Sequence, residues 1–345
     1  MKEFNTIRNK SGKFSFLIER KAIKMFLLLF VLTLIIFIIG LSVGSTMINP
    51  VSIVQHLVGA GDGENTFIIN TLRLPRMLLS LLVGAALGVS GLILQGIIRN
   101  PLASPDIIGV TGGAGVAAVI FITYFSEISI KWMPFAAIVG AGVVSLIIYL
   151  LAWKQGVTPI RIVLIGIGVA AVMGSLTTMM IVLSPTYSTS EAYIWLTGSI
   201  YGANWENVYS MLPWVLIFIP LALIFSREVN VQELGDDVAL GLGARVQFYR
   251  FTLLIVSVAL AGSAVAFAGG IGFVGLIAPH IAKKIVGRSF GSLIPVSALI
   301  GGLIVILADV VARTAFLPLD LPAGVFVSGI GAPFFIYLLY KNRNM

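Results

Sequence analysis

"RNPLASPDIIG", residues 99–109, interrupts two long apolar runs, and its reading decides the fold. Residues 77–98 before it and 107–126 after it contain no Asp, Glu, Lys or Arg. Between them stand Arg99, Asn100, Pro101, Pro105 and Asp106, which break a helix and carry charge. Hydrocarbon solvates neither a lipid-exposed irregular backbone nor an unpaired charge. The stretch therefore reads as a turn in water between two membrane helices.

Composition extends that reading to the whole chain. Of its 345 residues 58% are hydrophobic and 10% charged, against about 25% charged in ordinary soluble domains. The sequence begins with seven cations in its first 24 residues (Lys2, Arg8, Lys10, Lys13, Arg20, Lys21 and Lys24). An uncharged run, 25–48, follows. As a helix it is about 36 Å long, enough for a ~30 Å hydrocarbon core and too long for a cleavable signal. The expected organisation is a basic cytoplasmic segment 1–24, one transmembrane domain 25–340 and a short cytoplasmic tail 341–345.

Further uncharged windows run 132–153, 162–190, 207–226, 251–282, 289–308 and 321–340. The window 251–282 is too long for one crossing, and "AGGIG" (268–272) divides it into two helices, the second short. The expected fold is an all-α polytopic membrane protein of about ten spans. With the N-terminus inside, 18 of the 22 Lys and Arg residues fall on the cytoplasmic side, including Arg99, Lys154, Arg161, Arg227, Arg245, Arg250, Lys283, Lys284 and Arg288. Arg73, Arg76, Lys131 and Arg313 remain outside. The positive-inside rule favours this orientation, with both termini cytoplasmic. The net charge of +8 is thus explained by topology, without nucleic acid as a partner.

Several chemistries are excluded or disfavoured. Without cysteine there is no disulfide, thiolate zinc site or Cys nucleophile, and His56 and His280 lie far apart. No cofactor or metal is expected. Gly270, Gly272 and Gly275 spell G-x-G-x-x-G, yet no soluble β-α-β unit surrounds them. No phosphate-binding G-x-x-x-x-G-K-[ST] occurs, so any ATP is hydrolysed by another chain. An ion-coupled secondary transporter is the rival reading. Asp309 is the one candidate intramembrane acid, and Arg313 stands at i, i+4 to pair with it. Gln95, late in the second span, reads as polar glue between helices. His280 reads as a hydrogen-bonding interfacial residue, and Arg76 as a headgroup anchor.

Gly84/Gly88 and Gly109/Gly113 have the small-xxx-small spacing of closely packed membrane helices. "LGVSGLILQGIIRNPLASP" (87–105) and "LAGSAVAFAGGIGFVGLIAP" (260–279) echo each other and would run in opposite directions, as in an inverted repeat.

The longest cytoplasmic loop, 227–250, reads "REVNVQELGDDVALGLGARVQFYR". Leu234, Val238 and Leu242, spaced by four, give one apolar stripe on a short helix that Gly241 or Gly243 can stop. The loop reads either as a helix lying on the membrane or as a docking knob for a soluble partner.

"RLPR" (73–76), "VGAALGVSGLILQGIIRNPLASPDIIGVTGGAG" (83–115), "LGDDVALGLG" (234–243), "GGIGFVGLIAPHIAK" (269–283), "LADVVAR" (307–313) and "LPAGVFVSGIGAPFFIYLL" (321–339) together resemble the permease subunits of the iron-siderophore and vitamin B12 importers, the FecCD-type group of ABC importers. The resemblance implies a second permease, identical or paralogous, two ATP-binding subunits below and an extracytoplasmic substrate-binding protein above. The implied substrate is a ferric siderophore, with haem or cobalamin as alternatives, carried across the cytoplasmic membrane of a bacterium by alternating access. It assigns ATPase coupling to Leu234, Gly235, Asp236, Asp237, Val238, Ala239, Leu242 and Gly243. Asn100, Pro101, Leu102 and Ala103 form a cytoplasmic turn near the ATPase, and Arg73 and Arg313 dock the binding protein. Asp236 and Asp237 are expected on the rim of the coupling contact.

Overall fold

The computed structural model describes residues 4–8, 15–61, 63–125 and 127–341; most of the basic segment's residues before 15, and the tail from 342, lie outside them. A short antiparallel hairpin, β1 (Phe4–Arg8) with β2 (Ser15–Glu19), precedes an all-α body. Helix α1 (Arg20–Ser42) ends before residue 48, where the uncharged run does. The chain unwinds beyond Ser42 and re-enters as α2 (Pro50–Leu57), capped by the Asn49 side chain on the Val51 amide at 2.9 Å. A π-helical turn (Ile68–Arg73) feeds α3 (Leu74–Ile98), which Arg99 stops in the left-handed region at φ 56°.

After a 3₁₀ turn (Pro105–Ile108) come α4 (Val110–Tyr124), α5 (Met133–Leu151) and α6 (Pro159–Leu183). Residues 162–190 are not one span. The helix breaks at Ser184–Pro185, and α7 (Thr186–Thr197) is a separate short helix. Helix α8 (Trp205–Ile224) leads to the short α9 (Ser226–Gln232) and α10 (Asp236–Gly241). The remainder is α11 (Val246–Ala268), α12 (Val274–Val286), α13 (Phe290–Thr314) and α14 (Ala323–Lys341).

Eight of the described helices, not ten, are long and apolar enough to cross a bilayer by themselves. The other two expected spans are present but short: α4 has 15 residues and α12 has 13, roughly 22 and 20 Å of helix. Each is preceded by non-helical backbone, the turn at 105–109 and the break at 269–273. Such backbone is tolerated at membrane depth only where protein covers it. Residues 274–279, which open α12, are all buried.

Helix α3 is the axis of the packing, with every residue from 83 to 98 buried. A Cβ on Gly84 would overlap the Gly301 carbonyl, one on Gly88 the Ser297 carbonyl, and one on Gly91 the Gly275 main chain. The absent side chains let α3 approach α13 and α12 backbone to backbone. The two echoing stretches also touch, since the close approach of Gly91 to Gly275 joins one to the other and Gln95 Nε2 lies 3.5 Å from the Gly275 carbonyl. Helix α6 is the opposite case, buried only at Pro159, Ile162, Gly166 and Ile181.

Candidate functional site

At the inner end, the turn after α3 and the loop 227–250 come together. Asn100 folds the turn by accepting from the Leu102 amide at 2.9 Å, while Ala103 is buried beneath it and Pro101 is exposed. Arg99 then reaches across: its Nη2 lies 3.1 Å from Asp236 Oδ1. The same oxygen accepts from Arg250 Nη2 at 2.8 Å. Arg250, in the first turns of α11, is only 1% exposed, and its Nη1 donates to the Val157 carbonyl. Gln247 also holds Val157, accepting from its amide at 3.0 Å and donating to its carbonyl at 3.3 Å. Val157 lies two residues before α6. One carboxylate thus joins α10, the end of α3 and α11, and through Arg250 the entry to α6.

The coupling loop is not one helix. Gly235, at φ 108°, separates α9 from α10, and Gly243, at φ 81°, turns the chain toward α11. Around this six-residue helix Leu234, Val238, Leu240 and Leu242 are all more than half exposed, whereas Ala239 is fully buried. The expected stripe is therefore an exposed apolar knob that nothing else in the chain covers, with Asp237 exposed beside it. Asp236 departs from the expectation. It is no free rim charge but the partner of a desolvated arginine. A crevice of about 510 Å³ opens beside this joint, walled by Ile98, Arg99, Pro159, Ile160, Leu234 and Val238.

At the outer end, Arg73 and Arg313 do not stand on a rim. Arg73 is 5% exposed and its Nη1 donates to the carbonyls of Leu41, at 2.6 Å, and Ser42, at 3.0 Å; its Nη2 donates to that of Thr46. It caps carbonyls at the unwound end of α1, groups that the helix itself leaves without partners. Arg313 is 9% exposed and donates to the Gly40 carbonyl. Both guanidinium groups are buried and bond backbone carbonyls of the chain itself, with Arg313 Nε unpaired, so neither is an exposed charge. Arg76, expected only to anchor, is instead the hub. Its Nε and Nη2 bond Asp309 at 2.8–3.0 Å, and its Nη1 and Nη2 bond Asp320 at 2.6 and 2.9 Å. The Tyr201 ring lies 5.9 Å from the guanidinium.

Gln95 does bridge helices, taking a bond from Lys283 Nζ at 3.1 Å. His280 does not hydrogen-bond through Nε2, which is buried without a partner; its ring packs edge-on against Phe334. His56 lies 3.0 Å from the Asn70 side chain. Among the described residues, no three His, Cys, Asp or Glu side chains gather as a metal site. Sequence spacing missed the Arg250 and Gln247 grip on Val157, and the Lys131–Glu206 pair at 2.8 Å on the outer face. None of these lies at helical spacing.

The profile of the FecCD transport family matches residues 32–341. A probable siderophore transport system permease protein, YfhA of Bacillus subtilis (strain 168), is 48% identical over 94% of this chain and 97% of its own. The achromobactin transport system permease protein CbrC of Dickeya dadantii (strain 3937) is 46% identical over 97% of this chain and 96% of its own. A solved metal-chelate type ABC transporter, in an inward-facing conformation, superposes with a TM-score of 0.81 at 30% identity, covering 93% of this chain and 99% of that one.

Proposed function

The chain belongs to the FecCD transport family, and on that premise we propose that it is the permease subunit of an ATP-binding-cassette importer that carries a ferric siderophore across the cytoplasmic membrane. Full-length similarity to siderophore and achromobactin permeases supports the substrate class. A ferric siderophore brings its own oxygen ligands to iron, so the permease needs shape and a path rather than a metal site. Haem and cobalamin are the alternative cargoes.

The observation that carries the mechanism is the apolar knob at Leu234–Leu242, exposed yet anchored through Asp236. Exposed apolar patches of this kind mark contact surfaces. In this reading the knob, with Gly235, Asp237, Val238, Ala239 and Gly243, seats on an ATP-binding subunit, and the turn Asn100, Pro101, Leu102 and Ala103 lies beside that contact. Residues 25–340 form one membrane domain with loop 227–250 and both termini cytoplasmic. An extracytoplasmic binding protein delivers cargo to the opposite end. Because Arg73 and Arg313 are occupied inside the chain, they act there by shaping the face rather than by presenting free charge.

The second permease fits the bare face of α6. Gly168, Ala171, Gly174, Ser175 and Thr178 are exposed there, a run of small residues suited to a close helix or a cavity wall. Uptake by proteoliposomes holding the whole importer, offered hydroxamate and catecholate siderophores, haem and cobalamin in parallel, tests the substrate class. Preferential accumulation of a ferric siderophore supports it, and preference for cobalamin or haem replaces it.

A further inference from the structure

Asp236 and Arg250 do more than stabilise a loop. A carboxylate shared by two arginines is a stiff connection when one of them is desolvated and the bonds are charge-assisted. Here the desolvated partner, Arg250, holds Asp236 at 2.8 Å on one side and the Val157 carbonyl on the other. Gln247, one turn earlier on α11, closes two further bonds to Val157, so this residue is held by three hydrogen bonds from two adjacent turns of α11. Arg99 adds the end of α3 from the opposite side at 3.1 Å. The short helix α10 has few other ties to the body, because Gly235 and Gly243 flank it with flexible backbone and most of its apolar side chains face solvent.

We infer that Asp236 and Arg250 are positioning residues for transport: they form the joint through which motion of α10 passes to the entry of α6. This deepens, and rests on, the reading of α10 as the ATPase contact. The joint explains three otherwise separate facts. An arginine is buried at the inner end although burial of a cation is costly unless paired. Its Nη1 is aimed at the backbone preceding α6 rather than at its own helix. And α6, the span that this backbone begins, is the one with the least packing against the rest of the chain, so few contacts within the chain oppose a push at its inner end. If α10 is displaced by a bound ATPase, the bonds through Asp236, Arg250 and Val157 carry α10, the α11 entry and the α6 entry as one unit.

The chain lacks cysteine, so spin labels can be placed at will. Ile160→Cys, 72% exposed in the first turn of α6, and Gly241→Cys, with open space around it on α10, report the joint directly. The labelled importer, assembled with its ATPase, is measured by pulsed electron spin resonance with and without ATP. The 160–241 distance stays at one value in both states, and in an Asp236→Asn background it broadens or lengthens when ATP is added. In the same Asp236→Asn importer, uptake per ATP hydrolysed falls about tenfold, the loss expected when a charged hydrogen bond is removed from one step, while Asp236→Glu recovers part of it. Co-purification of the ATPase is scored separately for every variant. Failure of the unsubstituted chain to retain an ATPase overturns the functional reading. Retention, with a 160–241 distance that changes on ATP binding or is indifferent to Asp236→Asn, overturns the joint alone.

Discussion

Asp309 is held at 2.8 Å by Arg76, from a position 233 residues away in sequence, and at only 3.9 Å by Arg313, one turn along its own helix. The acid in α13 is therefore neutralised across the α3–α13 contact. Proton-coupled transport wants an intramembrane acid free to exchange its proton. This one is fully buried and doubly bonded by a guanidinium, an arrangement that holds helices together.

Removing that acid leaves Arg76 with Asp320 alone and takes from the buried Arg313 its nearest carboxylate. Asp309→Asn is expected to cost about 3–5 kcal/mol, the usual loss when one partner of a buried ion pair is deleted. Asp320, with a side chain 24% exposed, shares the same arginine where water reaches it, so Asp320→Asn costs less. Thermal unfolding in detergent ranks the two, and equal losses would contradict the burial argument.

Arg73 bonds three backbone carbonyls of its own chain. Arg73→Gln removes these charge-assisted bonds and is expected to loosen the segment 43–49, seen as faster proteolysis and a lower unfolding temperature. The association rate of the loaded binding protein at low salt should change little. A large fall in that rate with unaltered stability would restore Arg73 as a docking charge.

The knob at α10 gives the opposite pattern. Leu234→Ala with Leu242→Ala forfeits roughly 2–5 kcal/mol per side chain if both become buried in a partner, so the ATPase should no longer co-purify. Both leucines are exposed in the isolated chain, and expression and unfolding temperature should therefore stay near those of the parent. Lost stability with retained ATPase would make the loop part of the permease core.

Orientation is read by labelling. Thr66→Cys should react with an impermeant maleimide in intact cells, and Gly241→Cys only after the membrane is opened. The reverse pattern would invert the topology.

Much of this architecture is visible in the sequence because hydrocarbon imposes a simple rule: uncharged runs become helices. The rule fails where protein substitutes for lipid. Window 107–126 reads as a full crossing, but α4 is only 15 residues long and follows irregular backbone that neighbouring helices cover, whereas the short helix after the glycines at 268–272 is legible and appears as α12. The break at Ser184–Pro185 was marked by its proline, which an uncharged window ignores. Arg313 looks like the partner of Asp309 because i, i+4 spacing is legible, whereas Arg76 reaches it only once α3 and α13 pack. The same limit hid Arg250 behind Asp236. Resemblance puts the opening turn on the same face as the coupling loop, and the physical tie between them, Arg99 to Asp236, is a tertiary contact no local pattern encodes.

In the proposed function this chain moves its cargo with energy from ATP that another subunit hydrolyses. Proteoliposomes containing the permease, its ATP-binding subunit and the binding protein, loaded outside with a radio-iron siderophore, measure this most directly. Accumulation should require ATP and the ATPase together and persist when a protonophore collapses the proton gradient. Uptake that continues without the ATPase and disappears with the protonophore would contradict the account.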